Sequence, residues 1–142
     1  MSTDDAIFST PGVNIGLFCS TPMVALSRNV VRKKAMKMLL TGEPVSAKHA
    51  KDIGLINDHF SSDNLEEEVL KLAENISSKS RMHVKIWKKA FNKQLEMPID
   101  KPYKYTSQIM SENMMALDAK EGISAFIEKR KPNWKDKWHQ MI

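Results

Sequence analysis

The sequence predicts a mainly α chain. Three observations carry this. Five stretches repeat apolar residues at helical spacing, glycines and prolines stand where helices would stop, and only one short run, Ala6–Ser9, reads as a strand before the structure-breaking Pro11-Gly12 pair.

Taken in order, Thr21 offers a helix cap with Pro22 at the first helical position, and Val31, Ala35, Met38 and Leu39 fall at helical spacing before Gly42 ends the run. Residues 22–40 therefore read as one helix or two abutting ones. Ser46 is placed to cap a short helix through Lys51 or Ile53, and Gly54 supplies the left-handed turn that follows it. Leu55–His59 reads as an extended link. Asp63 with Glu66 has capping-box spacing, and Leu65, Val69, Leu72, Ala73 and Ile76 line one face of the next helix.

After Ser77–Ser80, Val84, Trp87, Ala90, Phe91 and Leu95 form a core-facing stripe opposite Lys85, Lys88, Lys89 and Lys93, and Pro98 stops the helix. Asp100 is placed to cap a further helix with Pro102 in its first turn and Ile109, Met110, Met114 and Leu117 on its buried face. Asp118 and Glu121 repeat the capping-box spacing for a last helix, with Ile123, Phe126 and Ile127 facing inward and Lys129, Arg130 and Lys131 near its negative end.

With 142 residues, 42% of them apolar and 27% charged, the chain has the composition of a globular protein able to own a core. The single Cys19 has no disulfide partner, which fits a reducing compartment. No run approaches the ~20 apolar residues of a membrane span, so no membrane partner is expected. The net charge of +5 suits an anionic ligand, but the basic residues are dispersed, and charge alone does not choose between nucleic acid, membrane and a phosphorylated cofactor. The lysine face of residues 81–93 lacks the interleaved aromatics of a single-strand platform, so nucleic acid is not the expected partner.

His49, His59, His83 and His139 stand singly and no cysteine pair exists, so no metal site is expected. Cys19, in an apolar Gly-Leu-Phe-Cys setting, reads as a packed residue rather than a nucleophile, and Ser20 and Thr21 read as caps. Residue by residue, the chain carries no self-contained catalytic constellation.

Three ordered stretches add to this reading. Residues 8–16, Phe-Ser-Thr-Pro-Gly-Val-Asn-Ile-Gly, resemble the loop after the catalytic strand of the enoyl-CoA hydratase/isomerase (crotonase) family. Residues 39–55 resemble its L-T-G-x-x-[IV]-S-A-x-x-A-x-x-x-G-L signature, and residues 121–131, Glu-Gly-Ile-Ser-Ala-Phe-Ile-Glu-Lys-Arg-Lys, resemble its closing motif. The run from Thr10 to Pro22 is most similar to a mitochondrial subgroup of that family, so the resemblance implies a mitochondrial protein although no transit peptide is visible.

The resemblance implies the C-terminal half of the α/β crotonase (ClpP/crotonase-like) fold, lacking most of the N-terminal β-sheet spiral. Residues 1–20 would be a residual strand and active-site loop, 21–60 a helical segment with a short extended link, and 61–142 a C-terminal helical trimerisation region. It implies a coenzyme A thioester as ligand, no other cofactor, and a homotrimer or dimer of trimers. In the family an oxyanion hole of two backbone N–H groups and two glutamates act on the acyl-CoA. The first glutamate and the oxyanion hole lie N-terminal to the segments matched here. The position of the second is Gly12, which neither takes nor gives a proton, so hydratase activity is not expected of this chain. Phe126 and Lys129 match residues that contact the adenine and 3′-phosphate end of CoA. The alternative expectation is a non-catalytic helical oligomerisation or interaction module.

Overall fold

The computed structural model describes residues 1–137 and divides the chain into two units, Met1–Leu72 and one that starts at Ala73. His139 therefore lies outside the described residues.

In the first unit, β1 (Ser2–Thr3) pairs in parallel with β4 (His59–Phe60), and β2 (Ile7–Phe8) pairs antiparallel with β3 (Val45–Ser46). The expected strand at residues 6–9 is β2, whereas the expected link at 55–59 is mostly a series of bends that becomes extended only at β4. A 3₁₀ turn, Pro11–Ile15, follows β2 and ends on Gly16 in the left-handed region.

Residues 22–40 form two helices, α1 (Ser20–Asn29) and α2 (Arg32–Thr41), because Val30 between them is extended. Helix α1 starts earlier than Thr21-Pro22 predicts. Cys19 is its cap residue, and the Met23 N–H closes the first turn on the Cys19 carbonyl at 3.0 Å. Pro22 is tolerated there because a first-turn N–H has no intrahelical acceptor to lose. Ser46 caps α3 (Ala47–Asp52) as expected, its hydroxyl accepting the His49 N–H at 3.3 Å, and Gly54 has φ +79°.

The core of this unit is Leu26, Val30, Ala35, Met38 and Ile53, with Leu39, Val45 and Leu55 packed around it. The 3₁₀ turn is fastened to α2 at two points. The buried Thr10 hydroxyl donates to the Met38 carbonyl at 2.8 Å. Gly42 ends α2 at φ +62°, and a Cβ there would stand 2.9 Å from Val13 Cγ1 and 3.0 Å from the Asn14 amide group.

The second unit is helical: α4 (Ser62–Ser77), which contains the division between the units, then α5 (Arg81–Leu95), α6 (Pro102–Met114) and α7 (Leu117–Ile127). Asp63 lies within the first turn of α4, where its negative charge suits the helix dipole. Ser80 caps α5, accepting the His83 N–H at 3.3 Å. Asp100 does not cap α6; the cap residue is Lys101, with no side-chain bond to the helix.

The expected inward faces are the main departure from the sequence pattern. Helices α4, α5 and α6 have no fully buried residue, and Trp87, Phe91, Ile123, Phe126 and Ile127 are all exposed. The stripes have the predicted periodicity. The described residues supply no layer to cover them.

The doubly constrained Gly42 is the point where substitution should cost most. Gly42→Ala is expected to destabilise the first unit by about 2–4 kcal/mol, combining left-handed strain with overpacking against the 3₁₀ turn. Urea unfolding followed by circular dichroism checks this.

Candidate ligand and loop sites

Two places in the chain carry the residues singled out from the sequence, one in each unit. The first is the 3₁₀ turn, where Gly12 lies close to Cys19. A Cβ built on Gly12 would fall 2.6 Å from Cys19 Sγ, so the thiol fills the space a side chain at position 12 would enter. Cys19 is half-buried, and its thiol faces the Thr10 carbonyl at 3.8 Å, packed against the turn that carries Gly12.

The second place is the end of α7. Phe126 is 85% exposed and Lys129 is exposed, with the Lys129 N–H donating to the Phe126 carbonyl at 3.3 Å. Lys129 has φ +53°, the conformation that glycine or asparagine usually takes just beyond a helix. The Arg130 N–H then reaches back to the Ala125 carbonyl at 3.0 Å.

The segment from Arg130 to Lys137 runs back along α7 and is tied down by carboxylates. Glu121 accepts both terminal nitrogens of Arg130, at 2.5 and 3.1 Å, and the Asn133 N–H at 2.7 Å. Arg130 Nε donates to Glu128 at 2.6 Å. Asp118, fully buried, accepts the Lys135 N–H at 2.6 Å and the Asp136 N–H at 3.1 Å on the same oxygen.

Further along, the Trp134 indole donates to the Ser78 carbonyl at 2.7 Å, and its ring would lie 3.4 Å from a Cβ at Gly122. Asp136 accepts the Met82 N–H at 3.1 Å at the start of α5. The Lys137 carbonyl accepts the Leu117 N–H at 3.2 Å, satisfying one of the donors that a helix start leaves open.

Asp118 and Glu121 therefore do not form the capping box that their spacing predicts. Ala116 is the cap residue of α7 and has no side-chain acceptor, and both carboxylates turn to the returning segment instead. The sequence carried a signal for this in Trp134 and Asp136, polar-tipped residues following Pro132, but no local spacing links them to Asp118. Burial pushes Asp118 up, yet the hydrogen bonds from Ser80 and the backbone N–H groups of Lys135 and Asp136, with the charge of His83, hold it below the ordinary carboxylate range. Arg130, then the Asn133 N–H, hold Glu121 down at about 2.

A third feature is an apolar groove of about 290 Å³ between α5 and α6, lined by Ile86, Trp87, Ala90, Phe91, Ile109 and Met110 among others. Lys93, one of the expected solvated lysines, lies over the Tyr105 ring at 4.9 Å. Among the described residues no helix is long and apolar enough to cross a membrane.

The family model described as enoyl-CoA hydratase/isomerase matches residues 1–137. The chain belongs to the enoyl-CoA hydratase/isomerase family. Mouse enoyl-CoA hydratase domain-containing protein 3, named as mitochondrial, is 49% identical over 134 residues, which cover 94% of this chain and 45% of the mouse protein. The crystal structure of its human counterpart superposes with a TM-score of 0.87 at 49% identity, covering 94% of this chain and 52% of that one. An enoyl-CoA hydratase from Mycobacterium smegmatis gives a TM-score of 0.89 at 48% identity, covering 93% and 51%. The chain thus spans about half the length of these relatives, and its mostly helical fold is that of the C-terminal half of the crotonase fold.

Two predictions follow from the geometry. Gly12→Ala is expected to cost about 1–3 kcal/mol through the clash with the thiol, and Cys19→Gly in the same chain should recover part of that loss; thermal unfolding of the single and double variants measures the coupling. The second concerns acid. Both carboxyls are depressed in the folded chain, so their contribution is complete above the ordinary values of 3.8 and 4.5 and is lost as pH falls through the folded ones, with Glu121 giving way near 2. The midpoint of thermal unfolding should fall progressively below about pH 4.5, and Glu121→Gln should flatten that dependence.

Proposed function

We propose that this chain is an acyl-CoA-binding member of the family, acting in mitochondrial fatty-acid metabolism and without hydratase activity of its own. The observation that carries the reading is the end of α7. An aromatic ring that is 85% exposed adjoins the basic run Lys129–Lys131, which suits a ligand offering a flat adenine base beside a phosphate. In this reading Phe126 meets the adenine and Lys129 the 3′-phosphate of CoA.

Inactivity as a hydratase rests on Gly12. General acid–base chemistry on the acyl group needs a titratable side chain in reach. At the position matching the family's second glutamate there is no side chain, and the Cys19 thiol fills the adjoining space. The family's other glutamate and its oxyanion hole fall outside the matched segments. The mitochondrial assignment follows the names of the relatives.

Assembly into a homotrimer or dimer of trimers is part of the same proposal, with the apolar faces between residues 63 and 129 as the surfaces covered. The α5–α6 groove also favours a second reading, in which the chain is a non-catalytic oligomerisation or interaction module.

Isothermal titration with acetyl-CoA, CoA and dephospho-CoA, combined with light scattering, separates the two. CoA is expected to bind about tenfold more tightly than dephospho-CoA, and Lys129→Ala to remove that preference. Equal affinity for the two ligands would sink the phosphate role, and an oligomer that binds none of them would favour the interaction module. Steady turnover of a short enoyl-CoA would overturn the assignment as inactive.

A further inference from the structure

Three consecutive basic residues, Lys129, Arg130 and Lys131, follow the last helix, and the structure separates the roles of the first two. Arg130 is committed to two carboxylates: its terminal nitrogens to Glu121 at 2.5 and 3.1 Å, and its Nε to Glu128 at 2.6 Å. Lys129 stands between Glu128 and Arg130 and pairs with no carboxylate among the described residues.

The backbone of Lys129 is the unusual feature. Its φ of +53° is disfavoured for a side chain with a Cβ, and it places Lys129 where helices commonly use glycine. Such a conformation persists only where the surroundings over-determine it. Here the neighbours do so from both sides. Glu128 and Arg130 are bonded to each other across Lys129, Arg130 is clamped to Glu121 one helical face away, and Glu121 also holds the Asn133 N–H at 2.7 Å. Farther along, buried Asp118 grips the Lys135 and Asp136 N–H groups. A left-handed residue reverses the chain and changes the direction in which its side chain leaves the backbone.

We propose that the Glu121–Arg130 clamp is a positioning device that holds Lys129 left-handed, aiming its ammonium at a CoA phosphate, and that stability at this position is given up for ligand binding. This rests on the acyl-CoA reading above. Glu121 and Arg130 are then positioning residues, and Lys129 alone of the three touches the ligand.

Two measurements on the full chain test it. The first compares Lys129→Gly with Lys129→Ala by thermal unfolding. The glycine variant is expected to melt a few degrees higher, because it adopts a positive φ without a Cβ clash. An alanine variant that is equally or more stable would show that position 129 does not need the left-handed conformation and would overturn the proposal without touching the acyl-CoA reading.

The second measures the ratio of dephospho-CoA to CoA dissociation constants. Glu121→Gln is expected to reduce the ratio several-fold from its value in the unaltered chain, and to reduce it no further when Lys129→Ala is already present. A Glu121→Gln chain that melts earlier but keeps the full ratio would make the clamp purely structural. A ratio of one in the unaltered chain would instead remove the phosphate contact itself, and the positioning role with it.

Discussion

Apolar surface that the described chain does not bury is the constraint behind most of what its architecture does. The residues that become fully hidden are mainly small: Ala35, Ala47, Ala50, Ala116 and Ala125. The large side chains of α5, α6 and α7 stay in contact with water, Trp87 and Phe126 among them. At roughly 25 cal/mol per Å² of apolar area, leaving several aromatic and aliphatic side chains in water forgoes kilocalories of hydrophobic stabilisation. The family relatives, about twice as long as this chain, bring further structure of their own.

Where the apolar core is thin, directed polar contacts take over. In the first unit the Thr10 hydroxyl and the bare Cα of Gly42 fasten the 3₁₀ turn to α2, which sets where Gly12 stands. In the second unit a buried carboxylate, Asp118, and a half-buried one, Glu121, do the equivalent work for the returning segment. A buried charge is costly unless its lone pairs are met, and Asp118 meets them with backbone N–H groups whose positions depend on the segment being docked. Docking and burial therefore reinforce each other.

The amino-acid sequence made the local events legible. Ser46, Gly42 and Gly54 each act within three or four residues, and each does in the structure what its spacing implies. The helices α4 to α7 were legible from periodicity alone, and the mainly α character with them. Of the two-residue strands only β2 was expected, and the pairings were not legible, since Phe8 finds Val45 and Thr3 finds Phe60 across long stretches of chain that leave no periodic trace. Asp100 and Asp118 misled for a related reason: an aspartate near a helix start is as able to stand idle or to bind distant N–H groups as to cap. Phe126 and Lys129 were visible through a motif. The clamp around them was not, because it joins Glu121, Arg130 and Asn133 through space.

The returning segment also limits how the chain can vary in length. Its anchors, Arg130, Asn133, Lys135 and Asp136, meet fixed partners on α7 and at the start of α5, so the count of residues between them is part of the fit. Surface connections usually absorb an inserted or deleted residue. Here a single-residue shift between Glu121's partner and Asp118's partners would move every later anchor out of register, leaving a buried carboxylate facing the wrong atoms. In related sequences, substitutions should accumulate freely at positions such as Lys131, while insertions and deletions between residues 130 and 136 should be rare.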